Sequence, residues 1–109
     1  MVSSRSKGSQ FEYRVRNVLR KALDMPVERM LLSGQTQGWD ITIKAPNKTY
    51  KLELKKATAK KYCSFSIDYL KKLKEGKIDA IIFGLKRTEP FVIVKLDDFV
   101  ELIKKRTDP

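Results

Sequence analysis

Two apolar periods alternate along this chain, and the order in which they change is what most narrows its fold. Phe11, Val15, Val18, Leu19 and Ala22 fall at helical spacing, while Arg14, Arg16, Arg20 and Lys21 fill much of the rest. That pattern predicts an amphipathic helix with a basic outer side. Ser9 and Glu12 fit the Ser-x-x-Glu capping box at its start, and the helix is expected to stop near Asp24, ahead of Pro26. Residues 29–32 form a short apolar strand candidate. The polar, glycine-punctuated stretch Ser33-Gly34-Gln35-Thr36-Gln37-Gly38 then has the chemistry to reverse the chain. Residues 39–44 alternate, and so do residues 49–56; with Pro46 and Asn47 between them they read as a β-hairpin. Ser66 can cap a second helix that runs to about Glu75, with Gly76 as its stop. Residues 78–85 and 91–95 are nearly continuous apolar strands. Asp97 can cap a last helix through about Lys105, with Phe99, Leu102 and Ile103 facing inward.

The order is therefore helix, three strands, helix, two strands, helix. An α/β fold follows, in which one mixed five-stranded sheet is flanked by helices that cover its apolar stripes. Two layers and three are equally compatible with that order. Residues 1–8 are polar and basic without apolar periodicity and read as a mobile arm, leaving residues 9–106 as a single domain. The 109 residues are 41% apolar, enough for one modest core and not two.

Composition removes several chemistries. With no histidine and one cysteine, the chain can form no Ser-His-Asp triad, no histidine metal cage, no zinc finger and no internal disulfide. The apolar runs are short of a membrane span, and the N-terminus lacks the apolar core of a signal peptide. A soluble, intracellular, cytoplasmic protein that avoids membranes is the expectation. The net charge of +11 is segregated: residues 1–74 hold 17 Lys+Arg against 6 Asp+Glu, whereas residues 75–109 hold 7 of each. A segregated excess marks a face that meets a polyanion, and nucleic acid is the partner it suggests.

Chemistry concentrates in Asp40 and, after twelve intervening residues, Glu53-Leu54-Lys55. Strand parity puts Tyr50, Leu52 and Leu54 on one face, with Lys51, Glu53 and Lys55 on the other. The hairpin returns Asp40 toward the same region. Two carboxylates beside a lysine suit a hard divalent cation, because carboxylate oxygens bind Mg²⁺ or Mn²⁺ without completing the shell. Such an ion acidifies water and neutralises charge building on a phosphate. The same residues also compose an ordinary amphipathic strand with a solvated ion-pair face, and Glu12 could serve only as a helix cap. Lys56, Lys60 and Lys61 continue from Lys55, while Arg5, Lys7, Arg14 and Arg16 approach from the other end. Contacts of that kind position a duplex without reading its sequence. Trp39 reads as a packing residue in preference to a base-stacking platform. Tyr62, Phe65 and Tyr69 read first as core, with DNA or a second subunit as the other use, and Cys63 as a small buried filler.

These residues resemble the PD-(D/E)xK nuclease superfamily, and more narrowly its Holliday junction resolvases of archaea and their viruses. The likeness runs over about residues 6–95. Lys7-Gly8-Ser9 leading into Glu12 is similar to that family's opening motif, Asp40 to its metal-binding aspartate, and Glu53-Leu54-Lys55 to its Glu-x-Lys strand. Trp39 stands where the superfamily name has proline, Tyr13 where the resolvases have arginine, and Ser33-Gly34 loosely echoes their serine loop. The resemblance implies a restriction-endonuclease-like fold and a Mg²⁺-dependent homodimer, Mn²⁺ substituting, that cuts four-way DNA junctions in the nucleoid. It makes Asp40, Glu53 and the Leu54 carbonyl metal ligands, Lys55 the catalytic lysine, and Glu12 a carboxylate approaching the metal. Ser33 and Gln35 join the DNA-binding residues. Nucleases of the same superfamily that act on nicks, flaps or single strands, and a non-catalytic DNA-binding domain of the same fold, are the other readings.

Overall fold

The computed structural model describes residues 4–30, 39–56, 66–84 and 89–107, with side chains from Gln10 to Arg106 within those spans. The elements run α1 (Ser4–Leu23), β1 (Val27–Arg29), β2 (Ile41–Lys44), β3 (Thr49–Lys56), α2 (Ile67–Glu75), β4 (Ala80–Gly84), β5 (Phe91–Ile93) and α3 (Leu96–Thr107). Among the described residues, no helix is long and apolar enough to cross a membrane.

Helix α1 begins at Ser4, so residues 4–8 belong to it and the Ser9/Glu12 pair lies inside the helix, not at its cap. Among the described side chains of α1, Phe11 and Val15 are buried against the sheet with Leu19 partly so, while Val18 and Ala22 stay exposed. The helix ends on Asp24 at φ 53°, whose N–H donates to the Arg20 carbonyl at 3.0 Å. Aspartate tolerates this left-handed position better than most side chains. Met25-Pro26 then turns the chain directly into β1, two residues earlier than the apolar run at 29–32 suggested.

Strands β2 and β3 form the expected hairpin, with Ile41 opposite Leu52 and Lys44 opposite Thr49. Strands β3 and β4 are parallel, which requires a crossover, and α2 lies in that connection. Ser66 caps α2 by accepting from the Asp68 N–H, and Gly76 ends it at φ 77°. The spatial order is β1-β2-β3-β4-β5, with every other pairing antiparallel.

The sheet buries both faces, which settles the number of layers at three. On one side Phe11 and Val15 of α1 pack on Val27, Ile41, Ile43, Leu52, Ala80 and Ile82. On the other, Leu73 of α2 packs with Ile78 and Ile81, joined by Trp39, Tyr69 and Ile93. Gly84 ends β4 against the Phe11 ring, where any Cβ would collide with it. β4 is wholly buried, so it offers no surface to a partner. Helix α3 departs from expectation: it starts at Leu96, placing Asp97 in its first turn and not at its cap, and Phe99, Leu102 and Ile103 are exposed. The faces over the central strands are already taken by α1 and α2, and the three-residue edge strand β5 offers α3 little to cover.

Candidate functional site

Asp40 sits just ahead of β2, where the backbone holds it from three sides. Its carbonyl accepts from the Met30 N–H and its N–H donates to the Leu52 carbonyl, both at 2.9 Å. Its carboxylate Oδ2 accepts from the Leu54 N–H at 2.8 Å, which turns the side chain back over β3 beside Glu53. Burial is the main reason the Asp40 carboxyl is pushed up to about 6; the Leu54 N–H opposes the shift, the negative charges of Glu53 and Glu12 add to it, and Lys72 offsets part.

Glu53 occupies the face that parity assigned it, opposite Leu52, and is buried at 5% exposure. Carboxylates are rarely this buried without full compensation. Oε1 accepts from the Lys72 Nζ of α2 at 3.0 Å, while Oε2 is buried with no hydrogen-bond partner among the described residues. The cation that reaches Glu53 is thus Lys72, which the sequence analysis missed; Lys55, half-buried, lies on the same face two residues on. A lysine three residues after Tyr69 and one before Leu73 was a faint signal among so many lysines.

Glu12 points from α1 to Arg29 of β1, whose Nη2 and Nε meet the same Oε2 at 2.7 and 2.8 Å. The capping role for Glu12 is therefore replaced by a partly buried ion pair. The Arg29 guanidinium also lies 4.3 Å from the centre of the Tyr13 ring, with Arg16 at 5.3 Å. Charge-assisted hydrogen bonds to Glu12 hold the Arg29 guanidinium above its ordinary value although burial works against them. Arg29 too was missed, because strand residues before a loop carry no marker of their distant partner.

The remaining expected residues divide. Leu54 holds Asp40 through its N–H while its side chain packs toward α1. Trp39 is a packing residue, as expected: its Nε1 donates to the Thr42 hydroxyl at 2.8 Å and its ring joins the α2-side core. Lys56 and Arg14 are exposed, and the Arg16 Nε is buried without a partner among the described residues. Ser33, Gln35, Lys60, Lys61, Tyr62, Cys63 and Phe65, and the side chains of Arg5 and Lys7, lie outside the described residues. Hollows of 280 Å³ near Lys48, Lys51 and Asp79, and of 430 Å³ near Arg14, Val18 and Val92, both lie apart from the carboxylate pair.

Among the described residues, no three acidic, cysteine or histidine side chains converge on one point. The donor set is instead a pair, Asp40 and Glu53, with Glu12 near enough to raise the Asp40 carboxyl. Oxygen donors, one of them buried and unpartnered, fit a hard divalent cation. Comparison of the chain with models of known protein families and with curated proteins gave no match.

The raised Asp40 carboxyl has a measurable consequence. Between its unfolded value of 3.8 and its folded value of about 6, the native state keeps a proton that the unfolded chain has lost. Stability must therefore fall as pH rises through that window. Asp40→Asn should remove this slope, so the variant gains on the parent from pH 4 to pH 7 by about 1 kcal/mol, after discounting for solvent screening. Urea unfolding of both proteins in EDTA across that range checks it; a variant that loses stability at pH 7 would contradict a charge held at a cost.

Proposed function

We propose that this chain is a Mg²⁺-dependent, structure-selective DNA endonuclease of the restriction-endonuclease-like fold. In this reading it resolves four-way junctions as a homodimer, in the cytoplasm and in association with the nucleoid. The observation that carries the proposal is the side-by-side pair Asp40 and Glu53, the Asp40 carboxylate held charged at a cost to the fold and Glu53 Oε2 buried without a hydrogen-bond partner among the described residues. A buried polar atom without a partner calls for an explanation, and a ligand that completes its contacts is one.

Asp40 and Glu53 would bind the ion with the Leu54 carbonyl, Mn²⁺ substituting for Mg²⁺. When bound, the ion supplies positive charge to the scissile phosphate and acidifies water. The Leu54 N–H orients Asp40, and Lys72 holds the other oxygen of Glu53. Lys55, on the Glu53 face, orients the attacking water or balances charge on the phosphate. Glu12, held by Arg29, adds a negative charge on the α1 side. Arg14, Arg16 and Lys56, together with Arg5, Lys7, Ser33, Gln35, Lys60 and Lys61, would contact the DNA backbone. One observation favours a second reading, a DNA-binding domain of the same fold without catalysis: Lys72 and Arg29 already neutralise Glu53 and Glu12.

Labelled four-way junction, flap, nicked and linear duplexes incubated with Mg²⁺ and resolved on a denaturing gel separate these readings. Paired nicks in the junction that vanish in EDTA are expected. Cutting of flaps, nicks or single strands in preference would make the chain another nuclease of the superfamily. Binding without cleavage in either Mg²⁺ or Mn²⁺ would leave the non-catalytic reading.

A further inference from the structure

Among the described elements, helix α3 is the one that the fold does least to cover. It is 12 residues long, and every side chain from Leu96 to Arg106 is exposed. Leu96 stands 74% exposed, Phe99 51% and Ile103 48%, with Val100 between them. At 100° per residue, Leu96, Phe99, Val100 and Ile103 occupy an arc of about 100°. An apolar stripe of that width on a helix normally faces a core, and this one faces outward.

The charges that frame the stripe are ordered along it. Asp97 and Asp98 lie in the first turn, and Lys104, Lys105 and Arg106 in the last. Asp97 and Lys104 are seven residues apart, so they project within about 20° of each other on one flank of the stripe. A second α3 laid antiparallel across the first brings its Lys104 end to the Asp97 of the first helix, and the two-fold axis repeats the contact. A parallel arrangement would instead set acid against acid and base against base. The surface is thus self-complementary in both apolar pattern and charge, as a two-fold interface requires. Within its own helix Lys104 pairs with Glu101 at 3.6 Å, a contact between exposed groups that is readily exchanged.

We infer that α3 is the dimerisation element, pairing antiparallel with α3 of a second copy of this chain. A pair of three-turn helices by itself falls short of the ~800 Å² per partner of a stable interface. Edge strand β5, which leads into α3, exposes Phe91 on one face of the sheet and Val92 on the other, so one of the two can extend the apolar surface toward that size. The inference rests on α3 and β5, not on the metal site, and names the face on which the proposed homodimer would form.

Sedimentation equilibrium without DNA tests it, so its outcome is independent of the cleavage assay. The parent should be a dimer, and Phe99→Glu with Ile103→Glu should be a monomer that keeps its far-ultraviolet circular dichroism. Asp97→Lys or Lys104→Asp alone should weaken the dimer by about tenfold, and the two together should restore it, because the reversed charges again meet. A parent that is monomeric up to ~100 µM, a dimer that survives Phe99→Glu with Ile103→Glu, or a double reversal weaker than either single one would each overturn the assignment.

Discussion

Asp40→Asn and Glu53→Gln are each expected to cut Mg²⁺-dependent cleavage by roughly 100-fold or more, the scale lost when one group that stabilises charge in a transition state is removed. Both changes keep side-chain size and remove the negative charge that a hard cation needs. DNA binding should survive, since the basic residues are untouched and a carboxylate that repels phosphate has gone. Lys55→Ala should also stop cleavage yet leave Mg²⁺ binding in place, because a lysine is not a ligand. Stability gives the first variant a distinctive signature. Loss of a residue kept for structure lowers stability, whereas Asp40→Asn should raise it at neutral pH, where burial holds the Asp40 carboxylate at a cost. Parallel measurements of junction cleavage and urea unfolding read both effects. If both variants cut junctions at the parent rate, the carboxylate pair is not the site.

Lys72→Met should lower stability by about 3 kcal/mol, because it strands the Glu53 charge in the sheet face. The asymmetry of the pair drives this expectation: the Glu53 side chain is 7% exposed and that of Lys72 29%. Removing the carboxylate leaves a lysine that can reach water along its own stem, so Glu53→Gln alone should cost little. Removing the lysine leaves a carboxylate with one oxygen unpartnered already and the other newly so. Adding Glu53→Gln to Lys72→Met should therefore recover most of the loss. A double-mutant cycle by denaturant unfolding measures this coupling; additive single effects would mean that the two charges are not held together in solution.

Much of the scaffold was legible because its signals are local. The Ser66 cap, the Gly76 stop and the hairpin through Pro46-Asn47 each depend on a few neighbouring residues and stand where the pattern put them, and the two apolar strands fall inside their expected spans but are shorter, at Ala80–Gly84 and Phe91–Ile93. The errors fall where a local motif met a stronger non-local demand. Ser9 and Glu12 match a capping box, but α1 continues back to Ser4, and Arg29 takes the carboxylate. Phe99, Leu102 and Ile103 match an inward stripe, but the sheet faces they would cover belong to α1 and α2.

By itself the sequence determined the order of helices and strands, the parity that turns Glu53 away from Leu52 and Leu54, and the return of Asp40 toward Glu53 through a short turn. Those follow from backbone geometry, which repeats every two or 3.6 residues and needs no knowledge of distant partners. Only the tertiary structure decided that Leu54 donates to Asp40, that Lys72 and not Lys55 reaches Glu53, that Arg29 holds Glu12, and that α3 stands uncovered. Each of these depends on which surfaces meet after the sheet is assembled. A side chain's charge and period are written locally, but its burial and its partner arise only when elements far apart in the chain compete for the same space.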